Sequence, residues 1–250
     1  MVTRLTLLLC AALWAVHAQQ AKAPCGKREI SSGEVEECTA INVEFTKLSD
    51  REVEHVIRAL RLPSFVYLRL RDNKLTVKQS EAIMLAVVDS PAVRGLSFRE
   101  NELGMAATTA LTRALAESDN LKNVDLRSAK LGDEGAAVLA EGLTKLTTLN
   151  IEGNNIGPEG MSSIAAALEA QPSTLESLYV GNNPMSDRGA AALARAIQLA
   201  PGHMLSAVFV SDKSIGEEGK AALRVAAQET DVSMYDMARQ AIRKQWKDEL

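Results

Sequence analysis

One pattern recurs along this chain and limits what it can fold into more than any other feature. Seven segments align: "CTAINVEFTKLS" from Cys38, "FVYLRLRDNKLT" from Phe65, "VRGLSFRENELG" from Val93, "LKNVDLRSAKLG" from Leu121, "LTTLNIEGNNIG" from Leu146, "LESLYVGNNPMS" from Leu175 and "LSAVFVSDKSIG" from Leu205. Their starts are separated by 27, 28, 28, 25, 29 and 30 residues, and their shared form is L-x-x-L-x-L-x-x-N-x-L/I. Apolar residues on alternate positions of a short segment read as a strand. Repetition at a fixed period means units that bury their apolar faces against one another and cannot stand alone.

A helix follows each strand segment. "GDEGAAVLAEGL", "GPEGMSSIAAALEA" and "SDRGAAALARAI" are the clearest. Gly160, Ile164 and Leu168 fall at i, i+4 and i+8 on one helical face, as do Gly189, Leu193 and Ile197, and Gly135, Leu139 and Leu143. Pro158 sits near a first helical position, where a missing N–H costs nothing.

Strand motif and helix together resemble the ribonuclease-inhibitor type of leucine-rich repeat, over residues 38–228. The resemblance implies an α/β solenoid shaped as a horseshoe, with parallel strands on the concave face, helices on the convex face and about seven repeats. Spacing leads to the same curve. Adjacent strands sit about 4.8 Å apart, whereas packed helices want about 8–10 Å. Ala- and Gly-rich helix faces allow close approach and loosen the curvature.

The ninth position of each repeat is Thr46, Asn73, Asn101, Ala129, Asn154, Asn183 and Lys213. The resemblance implies that this asparagine turns inward and satisfies backbone groups after the strand. Ala129 departs from it in the shortest repeat, and a locally different turn is expected there.

Terminal repeats expose core unless they are capped. Residues 19–37, with a Cys25–Cys38 disulfide, read as the N-terminal cap; the alternative is two free thiols. Tyr235, Ala238, Ile242 and Trp246 share a helical face, so residues 229–246 read as a C-terminal capping helix.

Each end of the chain also carries an address. "MVTRLTLLLCAALWAVHAQQ" has Arg4 before an apolar stretch at residues 5–16, then small residues at Val16 and Ala18. This is the form of a secretory signal peptide over residues 1–18. The alternative, a membrane anchor, needs about 20 apolar residues. Lys247, Asp248, Glu249 and Leu250 form a C-terminal KDEL, a receptor-read signal for retention in the endoplasmic reticulum. The retention signal has meaning only in a chain that enters the secretory pathway, and the leader supplies that entry independently. Together they predict residence in the lumen with the KDEL receptor as one partner; the alternative is a chance helix end in a secreted protein.

Chemistry is sparse. Beyond the leader only His55 and His203 remain, and no nucleophile elbow, phosphate loop, dinucleotide fingerprint or zinc spacing occurs. No cofactor is expected, and the reading is not an enzyme. A net charge of −4 gives no global reason to expect nucleic acid or an anionic membrane as partner.

The concave strand face is where a ligand would sit. If the consensus leucines point inward, the third, fifth and seventh positions face outward. The seventh-position row is Glu44, Arg71, Arg99, Arg127, Glu152, Gly181 and Ser211. Arg69 and Tyr67 join the three arginines, while Tyr179 and Phe209 form a separate aromatic patch. Such a cluster suits an acidic partner, either carboxylates in a protein tail or a phosphate, and arginine and tyrosine are enriched at interface hot spots. The alternative is a solvated lattice in which Asp72, Glu100 and Asp125 neutralise the arginines. The leading expectation is a non-enzymatic module of the lumen that binds a partner or client, in an assembly, scaffold or chaperone-associated role. The runner-up is an inhibitor of a secretory-pathway enzyme such as a nuclease. The sensing domain of an innate-immune receptor fits less well, and a purely structural role stays open.

Overall fold

The computed structural model describes residues 24–170, 172–199, 204–210 and 212–236. The seven aligned segments form strands β1 (Ala40–Glu44), β2 (Tyr67–Arg71), β3 (Gly95–Ser97), β4 (Asn123–Asp125), β5 (Thr148–Asn150), β6 (Ser177–Tyr179) and β7 (Ala207–Val210). Helix α1 (Lys27–Ser32) precedes them. Between and after them come α2 (Asp50–Leu60), α3 (Val77–Val88), α4 (Met105–Glu117), α5 (Gly132–Ala140), α6 (Pro158–Ala170), α7 (Ser186–Leu199) and α8 (Glu217–Glu229). The strands join in chain order as one open parallel sheet, and each helix returns the chain along the other side.

Burial follows the repeat pattern. The fourth- and sixth-position residues, from Ile41 and Val43 in β1 to Val208 and Val210 in β7, are at most 3% exposed and face the helices. The helices answer with Gly160, Ile164 and Leu168, and with Gly189, Leu193 and Ile197, all buried. Close packing needs the glycines. A methyl group at Gly189 would lie 2.9 Å from Met185 Cβ and 3.1 Å from Met161 Cβ.

Helix starts are satisfied both within and between repeats. Ser49 and Glu52 form a capping box at α2, and Thr76 and Gln79 form one at α3. For α6 the cap comes from the preceding repeat. Asp133 Oδ1 accepts from Gly157 N at 2.6 Å and from Gly160 N at 3.1 Å, a negative group at the positive helix end.

The turn after each strand is built from a left-handed residue and an asparagine. The eighth position has φ between 49° and 67° in six repeats, at Phe45, Asp72, Glu100, Ser128, Gly153 and Asn182. The next residue turns inward. Asn154 Nδ2 donates to Leu126 O at 2.8 Å, and its Oδ1 accepts from Ala129 N at 2.8 Å and Leu131 N at 3.3 Å. Asn73, Asn101 and Asn183 make the same reach, to Val43 O, Leu70 O and Ile151 O of the repeat before each.

The turn at Ala129 is not different. Ser128 and Lys130 are left-handed at φ 54° and 58°, as Asp72 and Lys74 are at 49° and 51°. Asn154 supplies the amides at 129 and 131 from the following repeat, so the turn keeps its shape without its own asparagine. Phe98 O, one repeat earlier, loses the long reach and receives Asn101 Nδ2 at 3.4 Å. The shortening falls instead on the convex side, where α5 has 9 residues against 13 in both α4 and α6.

The two ends differ from each other. At the N-terminus Cys25 and Cys38 are bonded, with Cα atoms 5.7 Å apart. Cys25 also extends the sheet edge, donating to Ala40 O at 2.9 Å and accepting from Asn42 N at 3.0 Å. Closing a loop of 13 residues is worth about 3 kcal/mol in the chain-entropy model. At the C-terminus the expected helix over 229–246 is corrected. Helix α8 ends at Glu229, and an eighth strand, β8 (Ser233–Asp236), pairs in parallel with β7. Backbone pairing wins over helical periodicity because β7 offers an open edge: Ser233 N donates to Ser206 O at 2.8 Å, and Met234 fills the next core position. Residues 237–250, with the rest of the predicted helix and the KDEL, lie outside the described residues, as do residues 1–18.

The asparagine turn and the N-terminal cap can each be probed by unfolding. Replacing Asn154 by alanine strands two amides and a carbonyl in the core. Asn154→Ala is expected to cost about 3 kcal/mol in urea unfolding, against almost nothing for Asn120→Ala at the surface. The second concerns Glu52, which joins the N-terminal cap to the first repeat. Burial raises its pKa, but hydrogen bonds from Lys27, Ser31 and Ser49 outweigh burial and lower it from 4.5 to about 2. A lowered folded pKa adds stability above the unfolded value that is lost as pH falls through the folded one. Wild type is therefore expected to lose more stability between pH 4.5 and 2 than Glu52→Gln does, read as urea midpoints.

Candidate functional site

Strand pairing sets the geometry of the concave face. Asn42, Arg69, Ser97, Asp125, Asn150, Tyr179 and Phe209 stand in register as one row. The seventh-position row is held just as tightly by the turns. Phe45 N donates to Arg71 O at 2.8 Å, Asp72 N to Arg99 O at 3.0 Å and Glu100 N to Arg127 O at 2.8 Å. The three arginines therefore project from neighbouring strand ends, as the repeat pattern predicts. Ser211, at the far end of that row, lies outside the described residues.

Their partners are local acids. Arg71 donates to Glu100 Oε1 from Nη2 at 2.9 Å and Nε at 3.2 Å. Arg99 Nε lies 3.0 Å from the same oxygen, but it is buried and misaligned for a hydrogen bond. One carboxylate thus stands between two guanidinium groups. Arg127 makes a two-point contact with Asp125, from Nε to Oδ1 at 2.9 Å and Nη2 to Oδ2 at 2.6 Å. That hydrogen bonding is the main reason the Arg127 pKa is raised, against burial, which lowers it. Asp72 turns away to Lys74 at 2.5 Å. Two of the three nearby acids hold the arginines, so the row is partly neutralised and held in place.

The aromatic positions split. Tyr67 leans across the sheet over Gly95, where a Cβ would come within 2.5 Å of its ring. Tyr179 and Phe209 stack with centroids 4.0 Å apart and planes 5° apart. Phe209 is only 2% exposed. It supports Tyr179 from beside and offers almost no surface of its own, because burial at the last repeats covers a position that alternation points outward.

The face forms an open groove of about 630 Å³. Six cationic residues line it, Arg69, Arg71, Arg94, Arg99, Lys122 and Arg127, against three acidic ones, Glu44, Asp125 and Glu176. The whole chain has net charge −4, so the groove reverses the sign of the molecule. Arg94 and Lys122 escaped the row-by-row reading because they are second-position residues, on the groove's rim. Phe45 escaped it too. It is 61% exposed, with the Arg71 guanidinium 4.5 Å from its ring centroid. Its signal was an aromatic at the eighth position, where the neighbouring repeats carry Asp72 and Glu100.

His55 is buried in α2, its Nδ1 2.5 Å from Ile30 O, and acts in packing of the N-terminal cap. His203 lies outside the described residues. Among the described residues no group of three or more His, Cys, Asp and Glu is placed to hold a metal ion, and no helix is long and apolar enough to cross a membrane.

Residues 118–140, 142–165 and 171–194 match the family model of the leucine-rich repeat. Each match spans one strand segment and most of the helix after it. The three matches cover 71 of the 250 residues, and the fold is an α/β solenoid of the leucine-rich-repeat type. The matched repeats are the fourth to sixth; the first three carry the same strand and left-handed turn, and the second and third also carry the inward asparagine, Asn73 and Asn101. No curated protein matches the chain. Leucine-rich repeats are interaction modules, and in a solenoid the sheet face is the broad surface left open to a ligand.

Proposed function

We propose that this solenoid is a non-enzymatic module of the endoplasmic reticulum lumen that holds an acidic segment of a protein partner or client in its concave groove. The observation that carries the reading is the charge reversal, a groove lined by six cations and three acids in a chain of net charge −4. Complementary charge speeds encounter and excludes wrong partners. Arginine suits carboxylates because its donors form a fixed fork. Full α-helices between the strands support the ribonuclease-inhibitor type of repeat. The same groove argues against inhibition of a basic nuclease, which calls for an acidic face. The signal-peptide form of residues 1–18, the terminal KDEL and the Cys25–Cys38 disulfide all support an oxidising, lumenal location.

Two measurements test the two halves of this reading. Deleting residues 247–250 is expected to send the protein into the medium of secreting cells; full retention would remove the lumenal assignment. Crosslinking capture from lumenal extract is expected to fall about tenfold for the neutral variant Arg71→Gln/Arg99→Gln/Arg127→Gln, with the melting transition measured in parallel to show that the fold is kept. An identical captured set would make the arginine row a solvated lattice.

A further inference from the structure

Phe45 stands where the turn chemistry of this fold disfavours it. The eighth position is left-handed, and five other repeats fill it with Asp72, Glu100, Ser128, Gly153 and Asn182. Glycine, asparagine and aspartate accept that conformation most readily, whereas a bulky aromatic at positive φ is an outlier. Burial does not offset the strain, since Phe45 is 61% exposed. Local strain without a packing return is a mark of functional positions.

What surrounds the ring says what it would take. Arg71 lies over one face at 4.5 Å from the centroid. The same guanidinium is held along its edge by Glu100, through Nε and Nη2. Ring and carboxylate fix the arginine in advance, so a ligand that engages it orders less on binding. Glu44 and Arg71 line the groove, which places Phe45 at its N-terminal rim. An exposed aromatic beside a pre-positioned arginine, at the edge of a basic groove, matches a ligand with an apolar side chain flanked by carboxylates.

We propose that Phe45 and Arg71 form the anchor of the concave face, which takes an aromatic or large apolar side chain embedded in an acidic segment of a partner protein. This rests on the basic-groove reading above and deepens it.

The test is a double-mutant cycle with defined peptides and the intact, disulfide-bonded protein. One fluorescein-labelled probe is a run of glutamates with a central phenylalanine; its match carries serine there. Wild type is expected to prefer the phenylalanine probe by about tenfold in fluorescence anisotropy. Phe45→Asn is expected to erase that preference and to melt no lower than wild type, because asparagine accepts the left-handed backbone. Arg99→Gln/Arg127→Gln, which leaves the Phe45–Arg71 pair in place, is expected to weaken both probes alike. If Phe45→Asn keeps the preference, or melts well below wild type, the anchor is overturned while the groove reading stands. Binding of both probes that ignores the arginine variant overturns the groove reading. Failure of both probes to bind wild type overturns both. Concentration-dependent self-association in sedimentation, lost in Phe45→Asn, overturns the peptide anchor in favour of a second copy of the chain.

Discussion

The inward asparagine that follows four of the strands is the contact on which this solenoid depends. A left-handed residue bends the chain sharply out of the sheet and leaves backbone donors and acceptors facing the core. Buried backbone groups of that kind must be paired. Asn73, Asn101, Asn154 and Asn183 pair them by reaching into the repeat before. The bond therefore does two things at once. It closes one turn, and it fixes the next repeat against that turn. Without it, stacking would rest on apolar contact, which has no directional preference. With it, the seventh positions of successive repeats stand side by side, and the whole arrangement of the concave face follows.

That dependence explains which parts of the structure can be read from the chain. Strands, helices and facing rows are set by a pattern that repeats seven times, so single departures are outvoted. Ala129 shows the limit of reading a repeat one unit at a time. Its missing side chain is compensated by Asn154 on the next repeat, and the deficit appears at Phe98 on the one before. β8 fell outside the pattern because Asp231 and Asp236 occupy two of its apolar positions. What holds it is the open edge of β7, a backbone property with no residue signature. Phe209 fails for a related reason. Alternation gives the direction of a side chain, but its exposure depends on what else closes over it.

Regular register also has an electrostatic consequence. A repeat that places one arginine on each of three neighbouring strands forces like charges together. Each unit of repulsion must be met by local acids, and Glu100 and Asp125 are those acids. Their presence could be taken to make the row inert. The geometry argues otherwise, because neutralisation is incomplete across the groove and the acids restrain the guanidinium groups. An arginine clamped by a neighbour loses less freedom when a ligand arrives than one that sweeps through solvent. Partial neutralisation and readiness to bind are compatible here, since the second-position cations Arg94 and Lys122 add charge to the groove beyond the paired arginines.

The position of that charge along the solenoid adds a mechanical argument. In a linear array each unit is stabilised by its own core and by its neighbours, so the ends are the weakest points. The N-terminal end is reinforced three times over. The Cys25–Cys38 bond crosslinks the cap, Glu52 ties α1 to α2 through Lys27 and Ser31, and His55 bonds to Ile30 O. Among the described residues the C-terminal edge is closed by β8, held by backbone pairing and by the packing of Val232 and Met234. The arginines of β2 to β4 and the strained Phe45 stand in the reinforced half. Strain in a turn persists only where the surrounding structure over-determines it, and β1 has the Cys25–Cys38 staple behind it. The stapled cap and the exposed aromatic are therefore parts of one arrangement, in which stiffness at the first repeat lets an unfavourable residue hold its place at the mouth of the groove.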